Sequence, residues 1–257
     1  MTEQRLPCLF VMLPTYNEAE NIEALVREIL ALALPAEVHV LVADDNSPDG
    51  TGRLVQAMAA AEPRVHALIR TKRRGRGAAG IDGFKAALAL GADYVVEMDA
   101  DFSHSPRFIP ALLAAVAGGA DNQVVADVAI GSRFVAGGSD SDRSLVRRAI
   151  TWCVRRFIRR RFHTPVRDVS SGFRLFRRGV LERIDLDDLI SVGPSIVLEI
   201  LYKLQLLRAT IVEVPIEFVD RRAGTTKLSA LTLVETLLMA VKLPKYYGPV
   251  PSGERTP

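Results

Sequence analysis

The chain has 257 residues, 49% of them apolar and 25% charged, with a net charge of +3. That length supports one large domain or two small ones around a sizeable core, and the composition excludes low-complexity disorder except at the ends. Two cysteines, Cys8 and Cys153, exclude a disulfide framework and fit a reducing compartment, and the longest uncharged run, Phe108 to Ala120, is too short to span a bilayer.

Charges interrupt the start, so no signal peptide is read there. The run "CLFVML" (Cys8 to Leu13) predicts a strand. In the segment that follows, Ile22, Leu25, Val26, Ile29 and Leu30 share one helix face, and Asn17 followed by Glu20 resembles a capping signal. "VHVLVA" (Val38 to Ala43) is the next strand, then an acidic loop and another helix. "VHALIR" and "YVVEM" are further strands, each followed by a helical segment, and "ADVAIG" (Ala126 to Gly131) follows them. Alternating strands and helices predict a mainly parallel sheet covered on both faces. After about residue 140 come a long arginine-rich helix, "DVSSGFRLFRR", another helix, "TIVEVPIEFVDR" and a last apolar helix from about Ser229. No linker separates a second domain and no internal repeat is visible.

Ligands of such sheets bind beyond the carboxyl ends of the strands. "PTYNE", "DDNSPDG", "DADFSH" and "SR" all fall there. Asp99 and Asp101 are two residues apart at a strand end, where alternation would point them the same way. Converging carboxylates repel unless a cation lies between them, and oxygen ligands suit Mg²⁺ or Mn²⁺ against a diphosphate. Two solvated aspartates opening the next helix would produce the same pattern. Asp45 follows a strand and could read a base or ribose edge. Ser47, Pro48, Asp49 and Gly50 are ordinary turn residues.

"GRGAAG" (Gly75 to Gly80) matches the dinucleotide fingerprint. Yet it follows the third strand with "TKRR" between, so a flexible basic loop near phosphates is the better expectation than NAD binding. In the segment Arg143 to Phe162, Val146, Ile150, Cys153 and Phe157 form an apolar stripe with Arg148, Arg155 and Arg159 opposite. Such a helix can rest on an anionic membrane, contact nucleic acid, or be the solvated side of a core helix. Arg147 and Thr151 share a flank and can grip one phosphate. The last helix, through Leu231, Val234, Leu238 and Val241, is apolar over a broad arc, either for the core or for lipid. His104 shows no ligand spacing, and no Ser-His-Asp arrangement is present.

In order, "LPTYNEAENI", "VADDNSPDGT", "VEMDADFSHSP", "IGSRFVAGG", "SSGFRLFRR" and "EVPIEFVDRRAGTTKLS" closely resemble the dolichol-phosphate or polyprenol-phosphate mannose synthases of the family 2 glycosyltransferases, from about Leu6 to Lys242. The resemblance implies a GT-A fold, a Rossmann-like nucleotide-diphospho-sugar transferase with a mixed, mainly parallel sheet and C-terminal amphipathic helices. It implies one domain over 1–245, with a nucleotide-sugar half (6–140), an acceptor half near the membrane (141–245) and a polar tail (246–257). GDP-mannose contacts fall on Pro14, Tyr16, Glu18, Ala43 and Asp45. Asp99, Ala100 and Asp101 match the metal and diphosphate motif, and Ser103 stands where some members have a metal-binding glutamine. Arg133 matches an arginine near both substrates' phosphates. Arg221 and Lys227 match a segment closing over the donor. Arg147, Thr151 and Arg174 match contacts to the lipid phosphate.

The implied reaction is inverting mannosyl transfer to a polyprenyl monophosphate, with Asp101 and Arg133 as the catalytic residues. The enzyme would be peripheral on the cytoplasmic face of the membrane, held there by a partner protein, as in actinobacterial members without transmembrane spans. The rival readings are another donor such as UDP-glucose, or a non-catalytic module with the same fold. The intact carboxylates, Arg221 and Lys227 argue against the latter, and no nucleic-acid reading motif is present.

Overall fold

The structure, a computed structural model, describes residues 5–72, 74–118, 126–140, 145–219 and 230–250, with only the backbone described at 145–149 and 230–232. Strand β1 (Cys8–Thr15) is buried on both faces: Cys8, Phe10 and Met12 point into one layer, Leu9, Val11 and Leu13 into the other. That is why it reads as a continuous apolar run rather than an alternating one. Strand β2 (Glu37–Asp44) pairs parallel with β1, β3 (Val65–Ile69) with β2, and β4 (Tyr94–Glu97) with β1 on its other side. Beyond β4 the sheet continues through β6 (Arg174–Arg177), β5 (Val128–Ser132) and β7 (Ile211–Pro215), in the order β3-β2-β1-β4-β6-β5-β7.

Strand β6 is antiparallel to both its neighbours and β7 is parallel to β5, so the sheet is mixed and mainly parallel, as expected. The four-residue β6, with an arginine at each end, carries too little periodicity to be read as a strand from sequence.

Helices α1 (Ile22–Leu30), α2 (Thr51–Ala61) and α4 (Ile109–Ala117) cover the face that contains Leu9 and Val11. The opposite face is covered by α3 (Arg76–Ala89), α6 (Arg178–Arg183), α7 (Ile196–Leu206), α8 (Ala230–Tyr246) and the end of α5 (Leu145–Phe162). Helix α1 does not begin on the expected capping signal. Asn17 lies in the left-handed region (φ 61°), and the backbone N–H groups of Asn21 and Ile22 donate to Glu18 O at 3.0 and 2.9 Å.

Helix α5 corrects a sequence expectation. Ile158 and Phe162 are buried, while Ile150, Cys153 and Phe157 of the apolar stripe are exposed. Arg155 and Arg159 instead turn inward: Arg155 Nε donates to Arg167 O (2.8 Å) and Arg159 Nη2 to Pro165 O (3.3 Å). Among the α5 residues whose side chains are described, the exposed arginines are Arg156 and Arg160.

Candidate active site

The loops after β1 and β2 are bolted together. In register, Pro14 faces Ala43 and Thr15 faces Asp44, so the expected nucleotide positions Pro14, Tyr16, Ala43 and Asp45 lie at adjoining strand ends. Buried Asp44 accepts from Thr15 Oγ1 (3.0 Å), Ser47 N (2.8 Å) and Ser47 Oγ (2.6 Å). Ser47 Oγ accepts from Asn17 N, Thr51 Oγ1 from Glu18 N and Asp49 Oδ2 from Ala19 N, each at 3.0 Å. Ser47 and Asp49 are therefore cross-braces as well as turn residues. Burial alone would push the Asp49 carboxyl up, but its hydrogen bonds from Thr51 and Ala19 hold it below the ordinary range. Tyr16 is 40% exposed at the mouth of this corner.

Asp45 is buried and accepts from Gly75 N (2.6 Å) and from Arg70 Nη1, while Arg70 Nε donates to Asp82 Oδ2 (2.8 Å). It ties the end of β2 to the start of α3. The loop there is not the flexible one expected from "GRGAAG". Gly75 sits at φ +133°, and a Cβ there would lie 2.6 Å from Val192 O, which already accepts from Gly77 N (2.8 Å) and Ala78 N (3.3 Å). Only glycine fits this clasp. The amides that would cradle a dinucleotide pyrophosphate are consumed by it, which removes the NAD reading.

Strand β4 ends at Glu97, so strand alternation does not reach Asp101. The pair brought onto a common cation is instead Glu97 and Asp99. Arg76 Nη1 donates to Glu97 Oε1 (3.2 Å), and its Nε and Nη2 donate to Asp99 Oδ1 (3.2 and 2.9 Å). Glu97 is buried, and its Oε2 has no hydrogen-bond partner among the described residues. Burial raises its carboxyl above the ordinary range despite Arg76 and Arg174.

Asp101 and Ala100 are buried, and Asp101 Oδ1 accepts from the backbone N–H of Ser103, itself buried. That contact makes Ser103 a support for Asp101. His104 accepts at Nδ1 from Asp99 N (3.3 Å) and stacks on Phe173 at 5.2 Å, and burial holds its ring below its usual pKa. Sequence spacing missed it because it contacts Asp99 through the loop's fold.

Across the cleft, buried Arg133 is fixed by Asp168. Its Nε and Nη2 each donate to that carboxylate at 2.8 Å, and Nη2 also donates to Ser170 Oγ at 2.9 Å. Burial pushes Asp168 up, yet Arg133 outweighs it and the carboxyl lies below the ordinary range. Phe134 and Phe218 lie 5.1 and 5.2 Å from the Arg133 guanidinium carbon, and Arg155 stacks over Phe134 at 3.4 Å.

Arg174 is a correction. It is fully buried, and its guanidinium donates to Ser171 O (2.8 Å), Val197 O (2.8 Å) and Val169 O (3.4 Å). It faces Glu97 in register and cannot reach a lipid phosphate from there. Burial lowers its pKa to about 10. Thr151 is half-buried on α5. Arg147 lies one turn earlier, where only the backbone is described, and Arg221 and Lys227 fall outside the described residues.

Helix α5 packs against α8, and each leaves large apolar side chains exposed. Trp152 (58%), Val234 (52%) and Leu238 (64%) are more than half exposed, and Ile150, Phe157 and Tyr246 are exposed as well. Arg156 lies 5.5 Å from the Trp152 ring. Among the described residues, no helix is long and apolar enough to cross a membrane.

The sequence matches the profile of Glycosyl transferase family 2 over residues 10–185. It is 40% identical over 228 residues to the polyprenol monophosphomannose synthase of Mycolicibacterium smegmatis, covering 88% of this chain and 83% of that protein. It is also 40% identical over 221 residues to the undecaprenyl-phosphate mannosyltransferase of Micrococcus luteus, covering 86% and 87%. Among solved structures it is similar to mannosyl-3-phosphoglycerate synthase from Rubrobacter xylanophilus, with TM-score 0.67, 16% identity and coverage of 98% of this chain and 78% of that one. Glucosyl-3-phosphoglycerate synthase from Mycobacterium tuberculosis is another match, with TM-score 0.65, 19% identity and coverage of 96% and 82%. The mixed sheet is thus the GT-A architecture expected from the motifs, and the chain belongs to glycosyl transferase family 2.

Proposed function

We propose that this enzyme transfers mannose from GDP-mannose to a polyprenyl monophosphate, with inversion, giving polyprenyl-phosphate-mannose and GDP. The observation that carries this reading is the 40% identity over 228 residues to a polyprenol monophosphomannose synthase, a span long enough to include both the end of β4 and α5. The exposed apolar face of α5 and α8 supports a lipid acceptor.

In this reading residues 6–140 hold the nucleotide sugar and 141–245 the acceptor, within one domain over 1–245. Pro14, Tyr16, Glu18, Ala43 and Asp45 form the nucleotide corner, and Arg221 and Lys227 close over the donor. The carboxylates of Asp99 and Asp101 would supply the hard oxygen ligands that Mg²⁺ or Mn²⁺ prefers, and buried Glu97 Oε2, at the end of β4, is left without a hydrogen-bond partner among the described residues. When bound, such an ion would neutralise the diphosphate and stabilise it as a leaving group.

The acceptor phosphate is already anionic near neutral pH, so its oxygen needs no general base. That oxygen forms a bond to the anomeric carbon as the bond from that carbon to the diphosphate oxygen breaks on the opposite face, so an α-linked donor gives a β-linked product. Arg133, with Arg147 and Thr151 from α5, holds the acceptor phosphate. Arg174 supports the floor beneath Glu97 instead of touching lipid. The α5–α8 face rests on the cytoplasmic surface of the membrane, with Arg156 and Arg160 toward anionic headgroups and a partner protein adding to the anchorage.

The test is label transfer into the organic phase from radiolabelled GDP-mannose with a short polyprenyl phosphate and Mg²⁺ or Mn²⁺, alongside Asp101→Ala. Lipid-borne label that disappears with EDTA and in the variant supports the reading. Label from UDP-glucose but not GDP-mannose would move the donor, and none from any donor would favour a non-catalytic module.

A further inference from the structure

Arg76 has no role in the reaction as described so far, yet three sequence motifs converge on it. It is the first residue of α3, from "GRGAAG". Its guanidinium bridges Glu97 and Asp99, from "EMDAD", at 2.9–3.2 Å. It occupies space left by Gly172, from "SSGF": a Cβ at 172 would stand 2.5 Å from Arg76 Nη2. The side chain is 22% exposed, so it keeps a path to solvent.

We propose that Arg76 is an internal counter-cation that occupies the carboxylates of Glu97 and Asp99 when no donor is bound, so that a divalent ion enters only together with the donor's diphosphate, which takes over the Arg76 guanidinium. This rests on the donor and metal reading given above.

Charge balance supports the exchange. Arg76 pairs with both Glu97 and Asp99, buried Arg174 lies opposite Glu97 across the β4–β6 pairing, and Arg133 is already paired with Asp168. Two arginines against Glu97 and Asp99 leave little uncompensated negative charge at the end of β4. A bare divalent cation overshoots that charge and must also displace a guanidinium from Asp99. A metal arriving with a diphosphate brings its own negative charge and offers Arg76 a planar anionic partner in exchange.

The backbone at the start of α3 is fixed by Val192 O, so the helix stays in place and only the side chain need move. Arg76 reaches only Oε1 of Glu97, and the buried Oε2 of that carboxylate has no hydrogen-bond partner among the described residues. Thermodynamic linkage then requires metal and nucleotide to strengthen each other's binding by the same factor.

The test reads Mn²⁺ binding from the paramagnetic resonance signal of the free ion, using the full chain with and without GDP. The wild-type protein should bind Mn²⁺ weakly alone and at least ~10-fold more tightly with saturating GDP, within the usual range of coupling between sites. Arg76→Gln should bind Mn²⁺ alone ~10-fold more tightly than wild type and lose most of the GDP enhancement. Gly172→Ala, which keeps every charge but displaces the guanidinium, should shift binding in the same direction. Unchanged Mn²⁺ affinity in both variants, with Mn²⁺ and GDP still binding together to wild type, would overturn the role of Arg76 alone. Failure of wild type to bind Mn²⁺ and GDP together would overturn the metal–nucleotide reading and this proposal with it.

Discussion

Asp168→Asn is the perturbation whose cost follows most directly from the site. Asp168 is fully buried and accepts four hydrogen bonds: Arg133 N (3.1 Å), Nε (2.8 Å) and Nη2 (2.8 Å), and Ser170 Oγ (3.2 Å). The amide keeps the shape but removes the charge. Whichever way it is turned, its NH₂ group opposes at least one Arg133 N–H. A buried guanidinium left without its carboxylate costs about 3–5 kcal/mol. Arg133→Met added to Asp168→Asn removes both charges, so the double variant should be less destabilised than the sum of the singles, with an interaction energy of about 2–3 kcal/mol. Urea unfolding of the four proteins measures this. A loss of under about 1 kcal/mol for Asp168→Asn, or additivity to within about 0.5 kcal/mol, would refute the view that Asp168 fixes Arg133.

The other predictions concern Arg174, pH and the membrane face. Arg174→Met strips three backbone carbonyls and Glu97 of a buried cation, so it should destabilise by about 3–5 kcal/mol in urea melts while leaving the KM for the lipid acceptor within about twofold. Because the Asp168 carboxyl is depressed in the fold, its stabilisation is complete above its unfolded value, about pH 4, and is lost as pH falls through the native value. Stability should therefore decline more steeply below about pH 4 in wild type than in Asp168→Asn. Glu97, raised in the fold, has the opposite sign: its contribution grows as pH falls from its native value toward about pH 4.5, before the Asp168 contribution is lost. Trp152→Ser with Leu238→Ser should leave stability within about 0.5 kcal/mol and reduce co-sedimentation with anionic vesicles about 10-fold. Arg156→Glu should weaken the same binding about 30-fold, because the reversal changes the charge by two units at about 1 kcal/mol each.

The strand–helix alternation and the rim of polar clusters were legible because apolar runs and turn residues are local signals. The seven-stranded order was not, since β6 is four residues long and its placement between β4 and β5 depends on pairings that span the chain. The carboxylate motif was legible at Asp99 and Asp101. The cation that holds Asp99 was not, because Arg76 is 23 residues away and is aimed by the Val192 clasp and the gap at Gly172. Arg174 illustrates the converse: its motif suggested a ligand contact, but burial between Glu97 and three carbonyls makes it structural. On α5 the stripe of Ile150, Cys153 and Phe157 was correctly identified, but the side facing the protein could be fixed only by Arg155 on Phe134 and Ile158 in the core.

The central claim is that an acceptor phosphate takes mannose by direct displacement at a site built on Asp101 and Arg133. The most direct measurement is nuclear magnetic resonance of the lipid product made from GDP-mannose and a short polyprenyl phosphate. The account predicts mannose joined through its anomeric carbon to the terminal phosphate in the β configuration. An α linkage, or mannose attached anywhere other than that phosphate, would contradict it.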